Sequence, residues 1–452
     1  MSDDVVEKNV QKVPGGYGLP VIGWLRDTID FFVISGWEAY FRDRQRKYGS
    51  SVFKNHMLMK TIAVLDYKSF EPLFNWDGRL EKEYGFGWAK PPPGLVGGVI
   101  PSVFAAGSAH SAPKTFYMQL LKARAATLSA NFASTSAEYF ERWERVAPFR
   151  WSDEIERFYA TFFFQWFLGA RPDPEDVRTV NNDLFGHLFW RLTRFLPWSK
   201  YSRSVEAYVR LLAVVKGSPG FEEIMRIART CGLQSEDEVA KQLLFTMGVN
   251  CYLGLQCLSK SLIGELSMRP KLRAEMRAEA LAVLGSAAQI DLGGLSKLPL
   301  LDGFVKETLR LHPPVFFIFG RATRDFVLDT AAGRFQIESG EMLMGVIPIA
   351  QLDPDAYVDP GTFRPGRFSD PAAEDALVWP HGTQEGPILV ESRICAGRDV
   401  GMLLAKLFCA TLLRSYDWDL QNPDLRWDDK SFSLDVAAPI GSLEVSRFAR
   451  ST

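Results

Sequence analysis

Helical hydrophobic periodicity dominates the middle of the chain, and short β-like pieces gather toward its two ends. Residues 14–23, Pro-Gly-Gly-Tyr-Gly-Leu-Pro-Val-Ile-Gly, form a turn-rich opening segment. A helix is predicted from about Asp27 to Tyr48, and short strands at 51–54 and 62–65. Residues 81–113, rich in Gly, Pro and aromatics, read as a long loop over a pocket. Helical patterning then runs from about 113 to 312. Within it, Ser235-Glu236-Asp237-Glu238 has the form of a capping box and opens a helix of roughly 30 residues ending near Arg269-Pro270. The middle of that helix, 243–257, is apolar on all sides, as a helix crossing a protein core requires. A membrane span is the competing reading; Asn250, Gln256 and the capped, charged flanks argue against it. Beyond 320 come short strands and loops, then the apolar helical stretch 400–416, then strand-like 431–446. The predicted architecture is mainly α with a small β region, in a single domain over residues 1–452.

Composition narrows the classes. Of 452 residues, 47% are hydrophobic and 23% charged, which suits one large unit with a substantial core. The 52 basic and 54 acidic residues leave a net charge of −2, so no electrostatic footprint for nucleic acid is expected. Five cysteines, at 231, 251, 257, 395 and 409, follow neither paired nor zinc spacing, which favours a reducing compartment. Five histidines supply little material for a non-haem metal cluster. The charged start, Met1-Ser2-Asp3-Asp4, carries no apolar run; no signal peptide or membrane anchor is expected, and a cytoplasmic or peripherally membrane-associated protein is.

The most informative segment is Glu391-Ser392-Arg393-Ile394-Cys395-Ala396-Gly397-Arg398-Asp399, leading into a helix. Helix-terminal amides and the helix dipole favour a thiolate there, and a thiolate is an axial ligand for haem iron. Gly397 leaves room for a flat macrocycle, and Arg393 could meet a propionate. A buried cysteine that merely caps a helix is the other reading, and the segment alone leaves both open. Upstream, Glu307 and Arg310 sit three apart on a predicted helix that ends at Leu311-His312-Pro313-Pro314. Phe363-Arg364-Pro365-Gly366-Arg367-Phe368 adds Arg367, which would complete a buried Glu–Arg–Arg network. With these three elements in this order, the chain resembles a cytochrome P450 over nearly its whole length. That likeness implies haem b held between the long central helix and the cysteine helix.

Oxygen-activating P450s carry an acid–threonine pair in the central helix for proton delivery. Here the turn reads Met247-Gly248-Val249-Asn250-Cys251-Tyr252-Leu253-Gly254-Leu255-Gln256, with neither acid nor threonine; Thr246 stands one turn earlier without an acidic neighbour. An amide at Asn250 donates and accepts hydrogen bonds but does not transfer protons at neutral pH; satisfying a nearby backbone group is its ordinary structural alternative. The stretch Leu243-Leu244-Phe245, Asn250 and Gly254 resembles the P450 subfamily that rearranges fatty-acid hydroperoxides: allene oxide synthases, hydroperoxide lyases, divinyl ether synthases and epoxyalcohol synthases. Gly16-Tyr17-Gly18-Leu19-Pro20, Phe319-Gly320-Arg321-Ala322, Trp379-Pro380-His381-Gly382 and the extended loop 383–392 agree with it. Ile388 stands where P450s generally have phenylalanine, as the subfamily also lacks it; Glu391, where glycine is usual, is unexplained.

This resemblance implies homolytic O–O cleavage of a polyunsaturated fatty-acid hydroperoxide, with no reductase, NADPH or dioxygen. Asn250 would orient the hydroperoxide and Cys395 would ligate the iron. Gln256 stands where plant members tend to have lysine. His110, Lys114, Arg393 and Lys82 are candidates for the haem propionates, with surface exposure the alternative for His110 and Lys114. Phe86 falls near an aromatic that the resembled enzymes place beside the substrate radical, with plain packing an equal alternative. Apolar walls for the acyl chain are expected from 313–319, including Val315 and Phe316, and from 437–441, including Ala438 and Pro439. The aromatic and cationic stretch 189–198 is either a lipid-facing gate or an ordinary amphipathic helix. An epoxyalcohol synthase is favoured over an allene oxide synthase or hydroperoxide lyase. A reductase-dependent monooxygenase and a non-catalytic haem protein are the more distant readings.

Overall fold

The computed structural model describes residues 10–19, 21–74, 78–82, 105, 107–185, 195–248, 254–287, 289–422, 424–427, 439–440 and 443–451, the side chains at 82, 185, 439 and 440 excepted. Its elements are mainly helices with small sheets, and its aromatic core sits among the helices. Helix Trp151–Leu168 is buried along most of its length. Phe158 and Phe162 meet Phe132 of helix Leu128–Val146 edge-on, at 5.5 and 5.4 Å between ring centres. On another side, Tyr159 Oη lies 2.8 Å from Ser259 Oγ of helix Gly254–Met268. Edge-to-face aromatic pairs of this kind add to the area they bury.

The central segment opens as its sequence indicates. Ser235 Oγ accepts from the Glu238 amide at 3.3 Å, and Glu236, Asp237 and Glu238 fill the first turn of helix Glu236–Phe245. Residues 246–248 widen into a π turn, and the chain is described again from Gly254 to Met268; 249–253, which include Asn250, lie outside the described residues. Pro270 starts the next helix, Pro270–Leu284.

The cysteine helix, Arg398–Ser415, packs against helices Gly254–Met268, Pro270–Leu284 and Pro299–Leu311. Its Phe408 meets the rings of Trp151, Phe158 and Phe140. The strand Tyr416–Leu420 follows directly and pairs antiparallel with Glu444–Arg450.

A five-stranded sheet runs in the order Val52–Asn55, Thr61–Val64, Met342–Val346, Phe317–Ala322, Leu80–Lys82. The pairings are antiparallel, except that Thr61–Val64 runs parallel to Met342–Val346, with Ile62 opposite Leu343. The sheet thus joins the first eighty residues to the segment following the Glu307 helix.

Three expectations need revision or cannot be followed. The single helix from Asp27 to Tyr48 is instead Ile22–Ile29, a π turn over Asp30–Ile34, and Trp37–Tyr48. Gly36, at φ 78°, takes a left-handed conformation that breaks the run, and Ser35 Oγ bonds back to Asp30. Arg44 then clasps the two pieces, donating to Asp27 at 2.9 Å and Asp30 at 2.8 Å. The helix expected from 113 begins at Ser108, after Gly107 at φ 55°. Of the strand-like stretch 431–446, residues 431–438 lie outside the described residues; Pro439–Ile440 pairs with Arg426–Trp427.

Candidate haem-thiolate site

Cys395 lies half-buried in the loop before the cysteine helix, two residues ahead of its N-cap, Gly397. Burial pushes its thiol pKa up, while the Gly397 amide, which donates to the sulfur, and the cations Lys114 and Arg398 pull the other way. A β-carbon on Gly397 would meet only Cys395 Sγ, at 3.9 Å, so the glycine keeps the approach to the sulfur clear.

The loop is tied down from several directions. Arg398 donates to the Thr383 carbonyl at 2.9 Å and to the Gly386 carbonyl, and Trp379 Nε1 donates to Gln384 Oε1 at 2.6 Å. Gly382 is required where Ile394 packs: an added β-carbon would lie 2.5 Å from Ile394 Cδ1. From the far side, helix Ser108–Arg124 contributes two donors to one acceptor. Lys114 Nζ reaches the Ser392 carbonyl oxygen at 2.6 Å, and His110 Nε2 reaches it at 3.2 Å. A carbonyl only accepts, so His110 carries its proton on Nε2 in this arrangement. Lys114 also meets Ser392 Oγ at 3.2 Å. Burial lowers the Lys114 pKa to about 8, opposed by the charge of Cys395. Arg393 donates to the Ala105 carbonyl at 2.6 Å, and burial holds its pKa below the usual value.

Glu307, Arg310 and Arg367 form a buried cluster. Arg310 grips Glu307 through Nε at 2.8 Å and a terminal nitrogen at 2.9 Å, and donates to the Gln351 carbonyl at 2.8 Å. Arg367 Nε lies 3.1 Å from both Glu307 oxygens, and the Arg364 amide adds a fourth donor group at 2.8 Å. The remaining Arg367 nitrogens go to the carbonyls of Val358, Asp359 and Thr362. A fully buried carboxylate is tolerable only when bonded on this scale.

The other sequence candidates divide. Gln256 is 1% exposed on helix Gly254–Met268, and its Oε1 has no hydrogen-bond partner among the described residues. Phe316 packs edge-to-face on Trp37, 5.3 Å between ring centres, while Val315 packs on a different cluster. Lys82 and Pro439 are described in backbone only, at the ends of strands Leu80–Lys82 and Pro439–Ile440. Asn250, Phe86, Ala438 and most of the aromatic stretch 189–198 lie outside the described residues.

Sequence reasoning missed two features. Ser392 is the acceptor on which Lys114 and His110 converge, and a backbone carbonyl leaves no signal in a sequence. Glu265, 1% exposed, accepts from His312 Nε2 at 2.7 Å and Trp427 Nε1 at 2.6 Å and pairs with Arg269. This ties the central helix to the segment leaving the Glu307 helix.

The residues fit a haem thiolate. One sulfur faces amide and cationic partners that favour its charge, Gly397 offers no side chain, and a β-carbon at Gly254 on the central helix would meet open space. Among the described residues, no group of three His, Cys, Asp or Glu side chains converges to hold a free metal ion. None of the described helices is long and apolar enough to cross a membrane.

Comparison with known proteins agrees. The cytochrome P450 family model matches residues 258–445. Allene oxide synthase, chloroplastic, of Arabidopsis thaliana is 27% identical, with 96% of this chain and 88% of that protein covered. Linolenate hydroperoxide lyase, chloroplastic, of the same plant is 26% identical, covering 90% of each. Divinyl ether synthase CYP74 of Allium sativum is 26% identical, covering 92% of this chain and 93% of that one. A solved structure, the cyanobacterial CYP120A1 with retinoic acid bound, superposes with a TM-score of 0.69 at 22% identity, over 91% of this chain and 94% of the other. The chain resembles the cytochrome P450s and has their fold, and that likeness implies a haem bound through a cysteine thiolate. Among P450s it is similar to the enzymes that metabolise fatty-acid hydroperoxides.

Proposed function

We propose that this protein is a haem-thiolate enzyme that rearranges polyunsaturated fatty-acid hydroperoxides, and that its product is an epoxyalcohol; allene oxide formation and chain scission are the alternative outcomes. The observation that carries the reading is the central turn 247–256, which has neither the acid nor the alcohol needed to protonate bound dioxygen. A hydroperoxide arrives with its oxygens already reduced and needs no such relay. The whole-length similarity to allene oxide synthases, a hydroperoxide lyase and a divinyl ether synthase supports it.

In this reading the Cys395 thiolate would hold the haem, which when bound would supply ferric iron for homolytic O–O cleavage. Lys114, His110 and Arg393 hold the ligand loop, and Lys114 and Arg393 offer positive charge to the haem carboxylates, with His110 and Lys82 as further polar partners. Asn250 orients the hydroperoxide, Gln256 gives a further polar contact, and Phe86 borders the reacting carbon chain. Val315, Phe316, Ala438 and Pro439 contribute apolar surface for that chain. No reductase partner is needed; a peripheral membrane contact through 189–198 would deliver a lipid substrate.

The test is direct. Purified haem-loaded protein mixed with a defined 9- or 13-hydroperoxide, without reductant, should rapidly consume the conjugated-diene absorbance, and mass analysis should find epoxyalcohols. Turnover only with NADPH and a reductase would replace the reading with a monooxygenase. Inertness under both conditions would leave a haem protein without this activity.

A further inference from the structure

Two widened turns meet at one point beside the central helix. Residues 246–248 form one, and Val180–Phe185, which continues helix Pro174–Thr179, forms the other. Each departs from ordinary α-helical spacing where the other packs against it, and π turns recur at functional sites.

The contact is made by Asn181 and Gly248. Asn181 is 6% exposed. Its Nδ2 donates to the Val177 carbonyl at 2.9 Å, one turn back, which fixes the amide's direction. Its Oδ1 then faces Gly248: a β-carbon built there would lie 2.8 Å from Oδ1, 3.5 Å from Nδ2 and 3.6 Å from Cγ. Oδ1 has no hydrogen-bond donor among the described residues. A buried, unpaired acceptor is unfavourable, and here it is held against the one residue type that admits it. Any side chain at 248 would evict the amide. Neither half of the seat works without the other.

We propose that Asn181 is a positioning residue, seated on Gly248, that fixes the π turn from which the chain enters residues 249–253. Because that stretch contains Asn250, this inference rests on the proposed hydroperoxide chemistry and deepens it: a buried amide on a neighbouring helix fixes the described turn that leads into the stretch. Asn181 contacts the glycine rather than the reacting atoms, so it acts through the helix. A displacement of the turn then changes the catalytic step and the partition among products, while uptake of the apolar chain is little affected.

Three variants of the full-length, haem-loaded protein test this. Asn181→Leu keeps the branched shape and number of side-chain heavy atoms and removes both hydrogen-bonding functions; Gly248→Ala pushes the amide aside; the third combines both. Each single change is expected to lower kcat about tenfold or more, with KM changed far less, and to alter the product ratio. The combined variant should be no worse than the poorer single one, since both act on one seat. Amide hydrogen exchange across 244–256 should quicken in Asn181→Leu while haem content and thermal midpoint stay near wild type. The proposal is overturned if kcat per bound haem and the product ratio are unchanged, if the effects simply multiply, or if the losses track haem loss or unfolding. Should the wild-type protein turn over no hydroperoxide, the parent reading fails alone, and unchanged exchange across 244–256 in Asn181→Leu would still refute the seat. If Gly248→Ala does not fold, Asn181→Leu decides.

Discussion

Lys114 Nζ sits 2.6 Å from the carbonyl oxygen of Ser392, three residues ahead of Cys395. A charged donor buried against a backbone carbonyl contributes about 1.5–3 kcal/mol. Lys114→Met should lose that contribution in the thermal midpoint and retain haem less firmly, as haem content through gel filtration would reveal. Wild-type retention would mean that His110 holds the loop without help.

Glu307 takes bonds from two buried guanidinium groups. Glu307→Gln leaves Arg310 and Arg367 facing a neutral amide, and loss of a buried partner costs about 3–5 kcal/mol. Little folded, haem-bearing protein should be recovered from expression. Recovery at wild-type yield with an unchanged denaturation midpoint would show that the cluster is not needed for folding.

Asn250→Ala should leave haem bound and the resting spectrum intact but reduce hydroperoxide turnover by about a hundredfold, the scale of a lost positioning contact. Stopped-flow loss of the diene absorbance gives the rate. A rate near that of wild type would remove Asn250 from the chemistry.

Acid sensitivity should carry the mark of Asp417. Its carboxylate is held below its ordinary value of 3.8 by hydrogen bonds from Arg277, at 2.7 and 2.9 Å, beside the end of the cysteine helix. A depressed carboxylate pKa stabilises the fold above the unfolded value, and that stability is lost as pH falls through the folded value. Below about pH 4, therefore, the gap in stability between wild type and Asp417→Asn should close. Thermal midpoints against pH would show it; parallel curves down to pH 2.5 or so would contradict the pairing.

What the sequence disclosed was local. Arg393, Cys395 and Gly397 lie within five residues, and Glu307 and Arg310 within one helical turn, so spacing alone brings them together. Ser235 and Glu238 marked a helix start for the same reason. What escaped notice depends on distant backbone. Gly36 breaks a pattern that reads as continuous helix, because periodicity does not register a single residue at positive φ. The Ser392 carbonyl has no letter of its own, so the meeting of Lys114 and His110 on it was invisible.

The clamp from helix Ser108–Arg124 spans 278 positions of chain before it closes on the cysteine loop. Contacts of such separation require most of the polypeptide to be in place before they form. Cofactor retention is thereby tied to assembly across the chain: a misassembled first third lacks the brace on the Ser392 carbonyl, and the cysteine loop is held less firmly.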